Sequence, residues 1–276
     1  MVKMNRLNTA RRTQIVAALV EGNGINSISR QAQVSKNTVL KLLADLGEAC
    51  AQYQDDALRN LSCQRLQCDE IWSFCYAKEK NVPLEKQGGF GYGDVWTWVA
   101  IDADTKLVPC WHHGRRDAVA AYQFMTDLAS RLKNRVQLTT DGHRPYLQAV
   151  EGAFGCDIDY AMLIKLYGNP PDDRRYSPGE CIGCETKAIT GNPDPNHIST
   201  SYVERQNLTM RMGMRRFTRL TNAFSKKLDN LRHSVSLHYM YYNFARIHKT
   251  LRCSPAQEAG VTDKLWEIED IVALLD

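Results

Sequence analysis

The chain has 276 residues, 43% of them hydrophobic, and a formal charge of only +4. It can bury a full-sized core with room for a small second domain, which excludes a disordered protein. No apolar run approaches the roughly 18 residues that span a membrane, and Met1 to Arg12 lacks the apolar centre of a signal peptide, so a cytosolic location is expected. Nine cysteines, an odd number and scattered, read as reduced thiols rather than a disulfide framework.

Thr9 to Val20 reads as a helix with Ile15, Val16, Leu19 and Val20 inward, ended by the turn Glu21-Gly22-Asn23-Gly24. Ile25 to Ala32 is a short second helix, and Ser35 caps a third from Lys36 to Leu46 with Val39, Leu42 and Leu43 inward. This is a helix-turn-helix pattern, which would place Ser35, Lys36, Asn37, Thr38 and Lys41 near bases or phosphates. The competing reading is a small helical bundle that touches no DNA. The expected division is a helix-turn-helix domain over 1–50, a linker over 51–64, a catalytic domain over 65–260 with an insertion at 168–200, and a carboxy-terminal helix over 261–276.

Arg65 to Ala77 is apolar enough for a central strand yet carries Asp69 and Glu70 in its middle. Successive strand residues face opposite ways, so only one of these acids is expected in any one site. The alternative is a surface salt bridge with the lysines that follow. Val95 to Asp102 and Leu107 to Trp111 continue an antiparallel meander, with Asp102 and Asp104 as turn formers. Asp117 to Leu132 has helical spacing. Arg135 to Thr140 is a fourth strand that ends at Thr140-Asp141-Gly142, and an acid at a strand end before a new helix is where open α/β sheets place ligands. Asp141 read blandly is a turn aspartate before glycine. Asp157 to Leu166 supplies a fifth strand, and 168–200 is long for an ordinary loop.

From Ser201 a helix carries Glu204 in its first turn, with Asn207, Leu208 and Arg211 on the same face. Ser201-x-x-Glu204 is also a capping box, in which the glutamate only bonds backbone at the helix start. From Arg205 to Arg252 the only acidic residue is Asp229, so this surface favours a polyanion. Three strands, helix, strand, helix, strand and a late helix match a ribonuclease H-like order, a five-stranded mixed sheet with flanking helices in the α/β class. Phosphodiester chemistry needs an activated hydroxyl and neutralised charge. Two Mg²⁺ ions about 4 Å apart supply both, and three carboxylates suffice to hold them.

At these residues the chain resembles transposases of the insertion-sequence-one type, within the DDE transposase and integrase group. D-E-I-W-S-F-C-Y-A-K at Asp69 to Lys78, T-D-G-H-R-P-Y at Thr140 to Tyr146 and E-R-Q-N-L-T-M-R at Glu204 to Arg211 carry the resemblance, which spans Gln67 to Pro255. It implies Asp69, Asp141 and Glu204 as catalytic acids binding Mg²⁺ or Mn²⁺. It implies Arg211 as a contact to terminal DNA, joined by Arg205, Asn207, Arg215 and Arg216. The implied partners are transposon ends and target DNA, with synapsis by at least a homodimer and, in a bacterium, association with the nucleoid. Two alternatives are a domesticated transposase acting as a non-catalytic DNA-binding regulator, and a ribonuclease H-like nuclease. Two departures stand out. Met1 to Thr9 lacks the cysteine-rich zinc element with which many members begin, and the 168–200 segment exceeds the usual spacing before the glutamate. Within it, Cys181 and Cys184 have metal-knuckle spacing and His197 follows, but a structural zinc site needs four ligands, so free thiols are expected.

Ser225 to His248 has an apolar seam through Leu228, Leu231, Val235, Tyr239 and Tyr242, expected to pack as one helix on the sheet, and Val261 to Asp276 is expected to dock as another.

Overall fold

Alternation along the central strand organises the molecule. In a computed structural model that describes residues 7–168, 181–218 and 222–276, β1 (Arg65–Cys75) pairs antiparallel with β2 (Gly93–Asp102) and parallel with the short β4 (Gln137–Thr140). β3 (Trp111–Gly114) pairs antiparallel with β2, β5 (Asp159–Tyr167) parallel with β4, and β6 (Cys181–Thr190) antiparallel with β5. The sheet therefore has six strands in the order β3-β2-β1-β4-β5-β6, one more than the five expected. The extra strand comes from the segment read as an insertion, whose residues 169–180 lie outside the described residues. The third strand also begins four residues later than Leu107, and in the stretch before it both backbone groups of Val108 bond the Asn243 side chain.

Residues of odd number on β1 and β2 face one layer and those of even number the other. On the odd face Ile71, Cys75, Val95, Val99 and Ile101 pack with Val203 and Met210 of α6 (Ser201–Gly213) and with Leu231, Val235 and Tyr239 of α7 (Leu228–Met240). On the even face Leu66, Cys68, Trp98 and Ala100 pack with Phe124 and Leu128 of α4 (Ala118–Arg131) and with Tyr146 and Ala149 of α5 (Pro145–Phe154). α7 does not run on to His248 as one regular helix. Its last turn widens into a π-helical segment over Tyr241–Ala245, which presents the buried Asn243 to bond both the N–H and the C=O of Val108.

The amino-terminal helices are α1 (Thr9–Val20), α2 (Ile25–Gln31) and α3 (Lys36–Ala57), with Asn8 and Ser35 accepting the capping N–H groups of α1 and α3. Residues 51–57, expected as linker, are the last two turns of α3. They stay helical because that end is packed: Gln54 is buried and donates to Cys50 and Ser236 carbonyls, while Asp55 pairs with Arg131 of α4 at 2.6 Å. Leu43, Leu46 and Cys50 of α3 belong to the same apolar cluster as the even face of the sheet. The carboxy-terminal region holds two short helices rather than one long one, α8 (Pro255–Glu258) and α9 (Ile268–Ala273), and α9 packs on α1, where Arg12 pairs with Asp276 at 3.1 Å.

α3 and α7 cross at Gly47. A Cβ there would come within 2.5 Å of the His233 Cα and 2.8 Å of its carbonyl oxygen. Alanine would raise helix propensity by about 1 kcal/mol, but overpacking against backbone costs typically about 1–3 kcal/mol. Gly47→Ala is therefore expected to lower the midpoint of thermal unfolding, measured by circular dichroism, whereas an exposed helical glycine replaced by alanine raises it.

Candidate active site

β4 ends at Thr140, which pairs with Cys68, while β1 continues to Cys75. Past Cys68 no strand among the described residues lies beside β1 on that side, and Asp141 follows directly on the end of β4 there. The Asp69, Glu70 and Asp141 carboxylates each bring an oxygen within 4.8 Å of the others. Alternation sends Asp69 and Glu70 to opposite faces, and of the two only Asp69 lines the cleft, yet at an open strand edge an oxygen of each comes near Asp141.

Each acid is held by groups from a different element. Asn207 of α6 donates to Asp69 Oδ2 at 2.9 Å, and the His143 N–H donates to Asp141 Oδ1 at 2.9 Å. Arg116, in the turn before α4, donates through Nε to Glu70 at 2.9 Å and through Nη2 to Asp141 at 3.4 Å, with its guanidinium over the Trp96 ring. Glu204 receives the Lys165 ammonium on both oxygens at 2.5 Å and the Thr200 hydroxyl at 2.5 Å.

The capping-box reading of Glu204 also fails. The residue at the N-cap of α6 is Thr200, not Ser201, and no side chain there caps the backbone. The free N–H groups of Tyr202 and Val203 instead donate to Gln67 Oε1 of β1, at 2.8 and 3.2 Å. Gln67 lies two residues before Asp69 on the same face of the strand, so this bond sets the first turn of α6 against the strand that carries Asp69.

Asp69, Asp141, Glu204, Asn207 and Arg211 line one open cleft of about 900 Å³ together with Arg116 and Lys165. Burial, then the Asp141 charge, raise the Asp69 carboxyl to about 6, and the same two causes raise Glu70 to about 7 against the opposing pull of the Tyr146 hydroxyl and then of Arg116. For Lys165, burial lowers the ammonium's affinity for its proton, but the bond to Glu204 outweighs it and the net shift is upward. The donors are carboxylate oxygens and an amide, the set that suits a hard divalent cation. Glu70 Oε1, buried and with no donor in good hydrogen-bond geometry, is an oxygen with room for one. Asp69, Glu70 and Asp141 therefore fit a hard divalent cation, whereas Glu204 lines the same cleft but stands outside that group, paired to Lys165.

The remaining candidates are spread more widely. Ser35 caps α3 and its hydroxyl lies 2.9 Å from that of Thr38, Lys41 pairs with Asp45 at 2.8 Å, and Lys36 and Asn37 are exposed. Lys36 lines a second cleft of about 640 Å³ with Arg215 and Arg216, so the start of α3 and the end of α6 share a basic wall. Arg205 and Arg215 are exposed. The Arg216 guanidinium is turned inward, donating to Ser225 and Ser234 at 2.6 and 2.9 Å, and burial lowers it to about 10. It therefore braces the start of α7. His197 bonds Arg65 near one end of β6, whereas Cys181 starts the other end, so the strand carries the histidine away from the two cysteines. Sequence reasoning missed Arg116, Lys165 and Gln67. A single basic or amide residue beside a turn or in a strand carries no pattern of its own.

Because folding raises the Asp69 carboxyl from 3.8 to about 6, the folded chain holds that proton more tightly than the unfolded chain. The resulting stability is present below about pH 4 and is lost as pH rises through about 6. In the presence of a chelator, the melting temperature of the wild type should fall relative to that of Asp69→Asn as pH is raised from about 4 to 7, since asparagine has no proton to lose.

Residues 92–157, from the start of β2 through α5, match a protein family described as a DDE domain. No curated protein matches the chain. Among solved structures, a piggyBac transposase synaptic complex with hairpin DNA is similar at 9% identity and a TM-score of 0.42, over 97% of this chain and 69% of that one. A Mos1 mariner paired-end complex with Mn is similar at 10% identity and a TM-score of 0.30, over 87% and 77%. The Mos1 strand transfer complex is similar at 15% identity and a TM-score of 0.25, over 58% and 60%.

Proposed function

We propose that the chain is a DNA transposase of the DDE group, of the insertion-sequence-one type, which binds transposon terminal repeats and performs metal-dependent strand cleavage and strand transfer on a ribonuclease H-like scaffold. The observation that carries this reading is the gathering of Asp69, Asp141 and Glu204, from β1, the end of β4 and α6, on the wall of one cleft edged with basic side chains. The DDE-domain match over 92–157 supports the DDE group, and that segment contains Asp141 though neither Asp69 nor Glu204.

Asp69, Asp141 and Glu204 would hold Mg²⁺ or Mn²⁺. Bound there, divalent cations activate the attacking hydroxyl and neutralise charge on the phosphate. The chain's own groups do the positioning. Asn207 fixes the Asp69 carboxylate through Oδ2. Thr200 donates to Glu204 Oε1 and Lys165 to both its oxygens, so Glu204 would turn from Lys165 to share a cation. Arg211 and Lys165, on the cleft wall, supply positive charge toward a DNA backbone threading it. Lys36 and Asn37 present further donors from α3, Arg205 from α6 and Arg215 just beyond it, and the three amino-terminal helices would read the terminal repeat. Two ends brought together imply two copies of the chain at least.

Asp141→Asn removes one carboxylate while keeping the side chain's shape. Cleavage of a labelled terminal-repeat duplex in Mn²⁺ should fall to background, while a mobility-shift assay with the same duplex shows unchanged affinity. Retained cleavage would exclude the assignment.

A further inference from the structure

We propose that Glu70 is a fourth carboxylate ligand of the metal centre, alongside the three acids named above. This rests on the metal-dependent reading of that centre. Three features of Glu70 carry the inference. Its carboxylate has an oxygen within 4.8 Å of both Asp69 and Asp141 oxygens, although it projects from the opposite face of β1 to Asp69. Its side chain is only 1% exposed, a burial that a carboxylate meets when it is paired or ligating. Its two oxygens differ: Oε2 takes the Arg116 Nε–H at 2.9 Å, whereas Oε1 has no donor in good hydrogen-bond geometry, the buried Tyr146 hydroxyl standing beside the carboxylate.

Arg116 touches both Glu70 and Asp141, so it competes with a cation for these two carboxylates. Its side chain is 38% exposed, and the guanidinium can withdraw toward solvent without opening the core.

A role confined to holding Arg116 makes a different prediction from ligation, and the two separate in the Arg116→Gln background. Mn²⁺ affinity is measured by electron paramagnetic resonance, and coordinated waters are counted from Eu³⁺ luminescence lifetimes in H₂O and D₂O. Unfolding curves confirm that each variant is folded. A lost ligand is replaced by solvent, so Glu70→Gln should add about one coordinated water and weaken Mn²⁺ about tenfold, with or without Arg116. Glu70→Asp, which keeps the charge but shortens the reach, should weaken Mn²⁺ too, as field effects alone would not. An unchanged water count and affinity for Glu70→Gln in the Arg116→Gln background would overturn the proposal. Asp141→Asn is the control. If it weakens Mn²⁺ and Glu70→Gln does not, only this inference fails. If neither does, the cation does not bind here, and the metal-dependent reading falls with it.

Discussion

Like charges crowded at an open strand edge are the constraint around which this structure is arranged. Two unit charges 4.8 Å apart repel by about 3 kcal/mol at an effective dielectric constant of about 20. Three such carboxylates would cost a fold more than a marginally stable protein can spare unless other groups relieve them. Relief comes in two forms. Arg116 spans Glu70 and Asp141, and Asp69 and Glu70 hold their protons into the range of 6 to 7. A site that tolerates this crowding only by partial protonation and one guanidinium is also a site with high affinity for added positive charge.

The crowding follows from strand length. β4 stops at Thr140 while β1 continues, so the sheet opens where β1 carries its acids. Glu204 reaches the same cleft by a separate device. Gln67 receives the first N–H groups of α6 and fixes the helix start against β1, and Asn207, nearly one turn beyond Glu204, then touches Asp69. One amide on β1 thus sets the distance between an acid in a strand and an acid in a helix. Gln67 is 3% exposed and its oxygen takes both N–H groups, so it has no freedom to drift.

Much of this was legible in the sequence for a simple reason. Asp69 and Asp141 are charges inside or at the end of apolar strands, and such placements demand a cause. The helices α1 and α4 declared themselves by spacing, to within a residue or two, as did the start of α6. What was not legible depended on partners distant in the chain. Gly47 looks like a helix end, yet the helix runs through it because α7 crosses there and needs the space. The approach of a Glu70 oxygen to Asp141 could not be foreseen, because nothing local says where β4 stops. β6 was hidden in a segment rich in proline and glycine. Arg116 and Lys165 are ordinary basic residues until the fold sets them against acids.

Anomalous diffraction from crystals grown with Mn²⁺ and a terminal-repeat duplex tests the central claim most directly. The account predicts manganese peaks between Asp69 and Asp141, with Glu204 turned from Lys165 to share a cation. Manganese bound only elsewhere on the chain, with Glu204 still paired to Lys165 beside DNA in the cleft, would contradict it.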